Sequence, residues 1–63
     1  MILVPLPANE TWISMYNYKA WLDENCQGLW EYGRATVAMY DIRYTVDFEN
    51  AEDAIMFKLK FQL

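Results

Sequence analysis

The sequence predicts an α+β fold: a small antiparallel sheet of about three strands, with two helices on one face. Two patterns in its 63 residues support this prediction. Residues 40–48 alternate between apolar and polar side chains, which is typical of a strand that buries one face. Residues 18–26 repeat their apolar side chains at helical spacing instead. The predicted order is β-α-β-β-α, in a single domain spanning residues 1–63.

Extended structure is expected before the first helix. Pro5 and Pro7 each lack a backbone N–H, so residues 1–7 are expected to be an edge strand or an irregular segment. The β-branched and aromatic side chains of residues 11–16 favour a short strand. A first helical turn starting at Asn9 is the alternative.

The first helix is predicted over residues 18–26, with Asn17 as its N-cap and Gly28 as a left-handed residue that ends it. Its apolar side is made by Tyr18, Trp21, Leu22 and Cys26. A short strand over residues 29–32 lies between the two glycines of the chain. A turn over residues 33–35 would then pair this strand with the early part of residues 36–48 as a hairpin.

The long strand is expected to bury one face and expose the other. The buried face would be made by Tyr40, Ile42, Tyr44, Val46 and Phe48, and the exposed face by Asp41, Arg43, Thr45 and Asp47.

The last helix is predicted from Ala51 to about Lys60, with Asn50 as its N-cap and two acids in its first turn. Its apolar face is expected to contain Ala51, Ala54, Ile55, Phe57 and Phe61, leaving Glu52, Asp53, Met56 and Lys60 outside. A strand over residues 57–63 also fits the pattern. That alternative would complete a ferredoxin-like β-α-β-β-α-β order.

Composition limits the kinds of partner and the cellular compartment that are expected for the protein. A net charge of −4 opposes binding to a phosphate backbone, and the five basic residues are scattered, so no direct nucleic-acid partner is expected. No apolar segment approaches the roughly 20 residues that span a bilayer, and the N-terminus does not resemble a signal peptide, so no membrane partner is expected. The lone Cys26 leaves no intramolecular disulfide, which favours the cytoplasm.

The residues that could carry catalysis are few. The chain has no histidine, so Ser-His-Asp and Cys-His arrangements are excluded. Zinc sites are built mainly from several histidine or cysteine ligands, and the chain has one cysteine and no histidine. The acids at the strand-to-helix junction, Asp47, Glu49, Glu52 and Asp53, are expected to stabilise the helix N-terminus rather than to bind a metal ion. We expect no catalytic, cofactor-binding or metal-binding residues, and no enzyme activity.

Eleven aromatic residues, namely three Trp, five Tyr and three Phe, are more than so small a domain easily buries. Their excess predicts an interaction module that binds a protein partner, with a candidate interface made by Trp12, Met15, Trp30, Tyr32, Met39 and Met56. One alternative is an acidic nucleic-acid mimic that displays Asp41, Asp47, Glu49 and Glu52. Another is a homo-oligomer that binds a ligand between aromatic surfaces of its subunits.

Residues 48–61 contain an aromatic strand end, an acidic capping segment, Asp-Ala, and then Phe-Lys-Leu-Lys-Phe. This stretch resembles the C-terminal signature of small uncharacterised proteins of tailed bacteriophages, matched here by Phe48, Asp53, Ala54, Phe57, Leu59 and Phe61. The resemblance implies a phage origin and residence in the cytoplasm of the infected bacterium. The resemblance itself supplies no activity. In that setting, the interaction module predicted from the aromatic excess is expected to modulate or inhibit a host protein.

Overall fold

The computed structural model describes residues 1–8, 10–39 and 41–63. Its elements are β1 (Ile2–Pro5), α1 (Trp12–Asn25), β2 (Trp30–Ala38), β3 (Asp41–Phe48) and α2 (Ala51–Phe61). The sheet has the order β1-β3-β2, and both outer strands are antiparallel to β3. The α+β class and the β-α-β-β-α order are therefore confirmed. Because β1 and β2 run in the same direction on either side of β3, β1-α1-β2 is a split βαβ unit.

β1 is an edge strand, as the two prolines predict. Its pairing with β3 runs from Ile2↔Phe48 to Pro5↔Thr45. The N–H of Leu6 continues the ladder by donating to the carbonyl of Tyr44 at 2.9 Å. Because backbone groups alternate in direction along an antiparallel pair, the backbone of Pro5 faces the open side of the sheet, where its missing N–H removes no ladder bond.

The first helix begins earlier than its sequence predicts. Thr11 has an extended backbone, and its Oγ1 accepts the N–H of Ser14 at 3.3 Å, so Thr11 is the N-cap of α1. The predicted strand over residues 11–16 is therefore wrong, and so is the N-cap at Asn17, which lies inside the helix.

Packing explains this longer helix. The predicted apolar side is confirmed, because Tyr18 and Leu22 are buried and Trp21 and Cys26 pack against them. Met15 continues that side by one more turn and also packs against the core, which outweighs the strand propensity of its neighbours. The alternative start at Asn9 lies outside the described residues.

Neither glycine has its predicted role. Cys26 is the C-cap of α1, and Gly28 has no positive φ, so it is not a left-handed cap. Instead, Gly28 packs closely against α2, where an added Cβ would lie 3.0 Å from Cβ of Asn50.

A hairpin is present, but neither its turn nor its pairing is where the sequence places it. Residues 30–32 pair with residues 46–48, the end of the stretch predicted as their partner rather than its early part, and residues 36–38 belong to β2. β2 continues through Gly33 to Ala38, so the turn predicted over residues 33–35 is wrong. Gly33 pairs with Thr45 in the middle of the ladder. A Cβ at this position would lie 2.5 Å from Oδ2 of Asp47, so the glycine makes room for that carboxylate.

The core lies between the two helices and one face of the sheet. Its buried apolar residues are Val4, Leu6, Tyr18, Leu22, Val46, Phe48, Ala54 and Phe57. Phe57 is central, because its ring centroid lies 5.5 Å from those of both Tyr18 and Phe48, and 5.0 Å from that of Phe61. Aromatic contacts between α1, α2 and β3 thus fix the helices on the sheet.

The predicted buried face of β3 is only half covered. Val46 and Phe48 are fully buried, whereas Ile42 is 65% and Tyr44 49% exposed. The helices therefore cover only the C-terminal half of the strand. Tyr40, also predicted for this face, lies outside the described residues.

Thr45 corrects the prediction for the opposite face, because it is fully buried rather than exposed. It lies between Pro5 and Gly33 in the two ladders. Its hydroxyl donates to Oδ1 of Asp47 at 2.7 Å, so the buried polar atom is satisfied.

The C-terminal segment is helical, as predicted. Oδ1 of Asn50 accepts the N–H of Glu52 at 2.8 Å, which confirms the N-cap. The helix continues to Phe61, and Gln62 follows in the left-handed conformation. The strand alternative over residues 57–63 is thus wrong, and the described residues contain no fourth strand.

The predicted faces of α2 need three corrections. Ala54 and Phe57 are buried as predicted, but Ala51 and Ile55 are exposed. Asp53, predicted outside, is buried. Its carboxylate accepts the N–H groups of residues 27 and 28, which supply the polar partners that a buried acid requires.

Candidate functional site

An open cleft of about 440 Å³ lies between the first turn of α1 and the exposed half of the sheet. Six residues line it, three of them aromatic and one acidic: Trp12, Tyr32, Tyr44, Met15, Thr11 and Glu10. We call it the α1 cleft. It is the candidate binding site of the protein.

The two secondary-structure layers each supply part of this lining. Trp12 and Met15 are three residues apart on α1 and so share one side of the helix. Tyr32 pairs with Val46, and Tyr44 lies two residues before Val46, so both tyrosines are on the sheet face that carries the helices. Trp12 is 79% exposed, whereas Met15 packs against the core, which gives the cleft an open wall and a closed base.

A hydrogen bond fixes the position of Tyr32 in the cleft lining. The Tyr32 hydroxyl donates to the backbone carbonyl of Met15 at 2.6 Å. Its ring packs edge to face against Trp30, with the centroids 5.3 Å apart. Burial raises the pKa of Tyr32, with the charges of Asp23 and Glu10 adding to the effect, so the hydroxyl remains a neutral donor.

A second hydrogen bond fixes the carboxylate. Oε1 of Glu10 accepts the hydroxyl of Tyr18 at 2.7 Å. Burial, followed by this bond and the charge of Glu10, raises the pKa of Tyr18 to about 12. In the described part of the chain the ion pairs are Lys19–Asp23 and Arg43–Asp41, so the charge of Glu10 is not neutralised by either pair.

The candidate interface predicted from the sequence is divided by the fold. Trp12, Met15 and Tyr32 meet in the cleft, and Trp30 supports it from behind Tyr32. Met39 and Met56 are 82% and 48% exposed, but neither lines the cleft.

Sequence reasoning missed Glu10, Thr11 and Tyr44 as parts of this site. Tyr44 follows the strand pattern that predicts burial, and only the short reach of the helices leaves it open. Thr11 could have been found as a capping residue, because threonine is among the residue types preferred at helix N-caps. In the structure it accepts the N–H of Ser14, three residues later.

A second exposed feature continues from the cleft along α1. Trp12, Ile13 and Tyr16 are 79%, 55% and 67% exposed and lie one turn apart or closer. We call these three residues the α1 stripe. Their side chains form an apolar surface on a helix whose other side is anchored in the core.

Asp53, at the strand-to-helix junction, and Asp41, at the start of β3, both have structural contacts. Asp53 accepts the N–H of Gly28 at 2.9 Å and that of Gln27 at 3.1 Å, and thereby fastens the end of α1 to the start of α2. Asp41 pairs with Arg43. Within the described residues, no three His, Cys, Asp or Glu side chains come together as metal ligands would.

Cys26 packs against the core and is partly exposed. Burial, with the charges of Asp53 and Asp23, raises the pKa of its thiol to about 11. The thiol is therefore protonated near neutral pH, which fits the predicted place of Cys26 on the apolar side of α1 and is unfavourable for a nucleophile.

Comparison of the chain with family models, with curated proteins and with solved structures gave no match. Neither helix in the described part of the chain is long and apolar enough to cross a membrane.

Proposed function

We propose that the protein is a non-enzymatic interaction module that binds another protein through the α1 stripe and the adjoining α1 cleft. One observation carries the proposal: Trp12, Ile13 and Tyr16, three large apolar side chains, are more than half exposed side by side on one helix. Contiguous apolar surface of this kind is typical of protein-binding sites.

The residue types of the α1 stripe also favour binding, in addition to their exposure. Tryptophan and tyrosine are enriched among the residues that dominate binding energy, because their rings cover much area with few rotatable bonds. The helix that carries them is held by the buried Tyr18 and Leu22 on its other side. Little order would therefore have to be created on binding, which favours affinity.

The resemblance of residues 48–61 to small proteins of tailed bacteriophages supports a setting for this activity. We propose that the chain is a phage protein that modulates or inhibits a host protein in the cytoplasm of the infected bacterium. In this setting the net charge of −4 would favour a partner with a basic surface.

Affinity capture tests the proposal. The immobilised protein is incubated with bacterial lysate at near-physiological salt, alongside the double variant Trp12→Ala/Tyr16→Ala. A matched control, Leu29→Ala/Leu59→Ala, removes two side chains that are 72% and 74% exposed elsewhere on the surface. We expect the same protein to be retained by the wild type and the control and to be lost with the double variant.

Two results would overturn the proposal: no protein retained specifically, or equal retention by all three forms. Circular dichroism should be the same for all three, since only exposed side chains change. Light scattering at micromolar concentration then identifies the partner as another protein or a second copy. A monomer is expected, and a dimer lost in the double variant would mean that the stripe binds a second copy.

A further inference from the structure

We propose that the α1 cleft binds the ammonium group of a lysine side chain on the partner protein, unmodified or methylated. This inference rests on the proposed function, since it gives the chemistry of the partner group that enters the cleft. Charge, ring type and prior hydrogen bonding support it.

The charge of the cleft favours a cation. Glu10 contributes a carboxylate, and none of the six described lining residues is basic. Arg34 pairs with Tyr44 in the ladder, yet it is not among those residues. The protein as a whole carries a net charge of −4, which adds a long-range attraction for a basic partner.

The rings favour a cation with an apolar stem. Trp12, Tyr32 and Tyr44 all line the cleft, and the negative faces of such rings attract ammonium groups, most strongly when these are methylated. Met15 supplies a flexible apolar base against which the methylenes of a lysine can pack. The volume of about 440 Å³ leaves room for added methyl groups.

Two of the binding groups are held in place before a ligand arrives. The Tyr18 hydroxyl holds Glu10 at 2.7 Å, and the Tyr32 hydroxyl is held by the carbonyl of Met15 at 2.6 Å. Groups that need no reorganisation bind more tightly than mobile ones.

The start of α1 also borders the cleft and opposes a cation. A helix N-terminus carries about half a positive charge. Thr11 accepts the N–H of Ser14 and so satisfies one of the exposed donors. The full negative charge of the Glu10 carboxylate exceeds the partial positive charge that is left at the helix N-terminus. The two charges together therefore favour a cation. An anionic probe tests this step directly.

The experiment uses the whole protein and four probes, followed by tryptophan fluorescence and by NMR of the aromatic side chains. Three are amino-acid methylamides with an acetylated α-nitrogen: lysine, trimethyllysine and norleucine, which replaces the ammonium with a methyl group. Acetate is the anion. We expect saturable binding of both cations with a Kd on the order of 1 mM, trimethyllysine being the tighter, and binding of norleucine at least about tenfold weaker.

Matched variants locate the binding. Glu10→Gln keeps an acceptor for Tyr18 but removes the charge, and should weaken lysine binding about tenfold. Glu24→Gln, on α1 and outside the cleft lining, should leave it unchanged. Trp12→Leu keeps an apolar side chain but removes the ring, and should weaken binding about threefold to tenfold. Tyr16→Leu, an exposed aromatic outside the cleft, should have no effect.

The inference is overturned if norleucine binds as tightly as lysine, if acetate binds and lysine does not, or if Glu10→Gln changes nothing. None of these results overturns the proposed function, which is tested by capture of a partner protein and by its loss in Trp12→Ala/Tyr16→Ala. Conversely, lysine binding without any captured partner would overturn the proposed function and leave the cleft as a cation site.

Discussion

Replacement of Asp53 by alanine tests whether this buried carboxylate joins the two helices. Asp53 is 3% exposed and lies in the first turn of α2. Its Oδ2 accepts the N–H of Gly28 at 2.9 Å and that of Gln27 at 3.1 Å. With alanine, both N–H groups would lose their acceptor in a part-buried position.

The magnitude follows from these contacts. A hydrogen bond to a charged group contributes about 1.5–3 kcal/mol, and an acid in the first helical turn adds about 0.3–1 kcal/mol. Taking the lower values because the donors keep some access to water, we expect Asp53→Ala to lower the free energy of unfolding by about 3 kcal/mol. A domain of 63 residues has roughly 3–9 kcal/mol in total, so the loss is a large part of it.

Urea denaturation of three variants provides the assay. Asp53→Asn keeps one acceptor oxygen and should lose about half as much as Asp53→Ala. Glu52→Ala is the control, since Glu52 is an exposed acid in the same turn and should lose only about 0.3–1 kcal/mol. Equal losses for Asp53→Ala and Glu52→Ala would refute the reasoning, because they would leave only the helix dipole.

Three further predictions use the same denaturation assay. Gly33→Ala should destabilise the wild type by about 1–3 kcal/mol and an Asp47→Ala background by clearly less, because the overlap with the carboxylate is gone while Oγ1 of the buried Thr45 still lies 3.0 Å from the added Cβ. Thr11→Ala should cost about 1 kcal/mol, whereas Asn17→Ala, inside the helix, should gain up to about 0.7 kcal/mol. Burial favours the neutral phenol of Tyr18, so its contribution to stability should be complete below pH 10.0 and lost as pH rises to about 12, with ultraviolet titration reporting the ionisation.

Each of these three predictions has a result that would contradict it. A Gly33→Ala effect of equal size in both backgrounds would show that the close approach of Asp47 is not the cause. A loss at Asn17 that exceeds the loss at Thr11 would restore the later helix start. Ionisation of Tyr18 at its ordinary pKa of 10.0 would contradict the effect of burial.

The elements that the sequence predicts well are those with a complete local signal. The Asn50 cap and the apolar spacing of Tyr18 and Leu22 are local, and both are confirmed. The errors occur where a distant contact decides. Gly33 looks like a turn residue, but its role is set by the carboxylate of Asp47, which approaches it from the neighbouring strand. Asp53 looks exposed, and is buried because residues 27 and 28 supply its donors.

The cleft could be predicted only in part. Trp12, Met15 and Tyr32 belong to an aromatic and methionine excess that is visible in the sequence. Their meeting place depends on how far the helices cover β3, which no local pattern encodes. Glu10 joins them through a hydrogen bond to Tyr18 across eight residues, and nothing in its own neighbourhood indicates that bond.

The place of β1 at the sheet edge determines when the protein can fold during its synthesis. The ribosome makes β1 first, yet its pairing partner is β3, which ends at Phe48. Until that residue has left the exit tunnel, Ile2–Pro5 has no strand to pair with. Phe57, at the centre of the core, emerges later still. Completion of the sheet and core therefore has to wait for most of the chain, and the apolar N-terminal segment stays unpaired throughout.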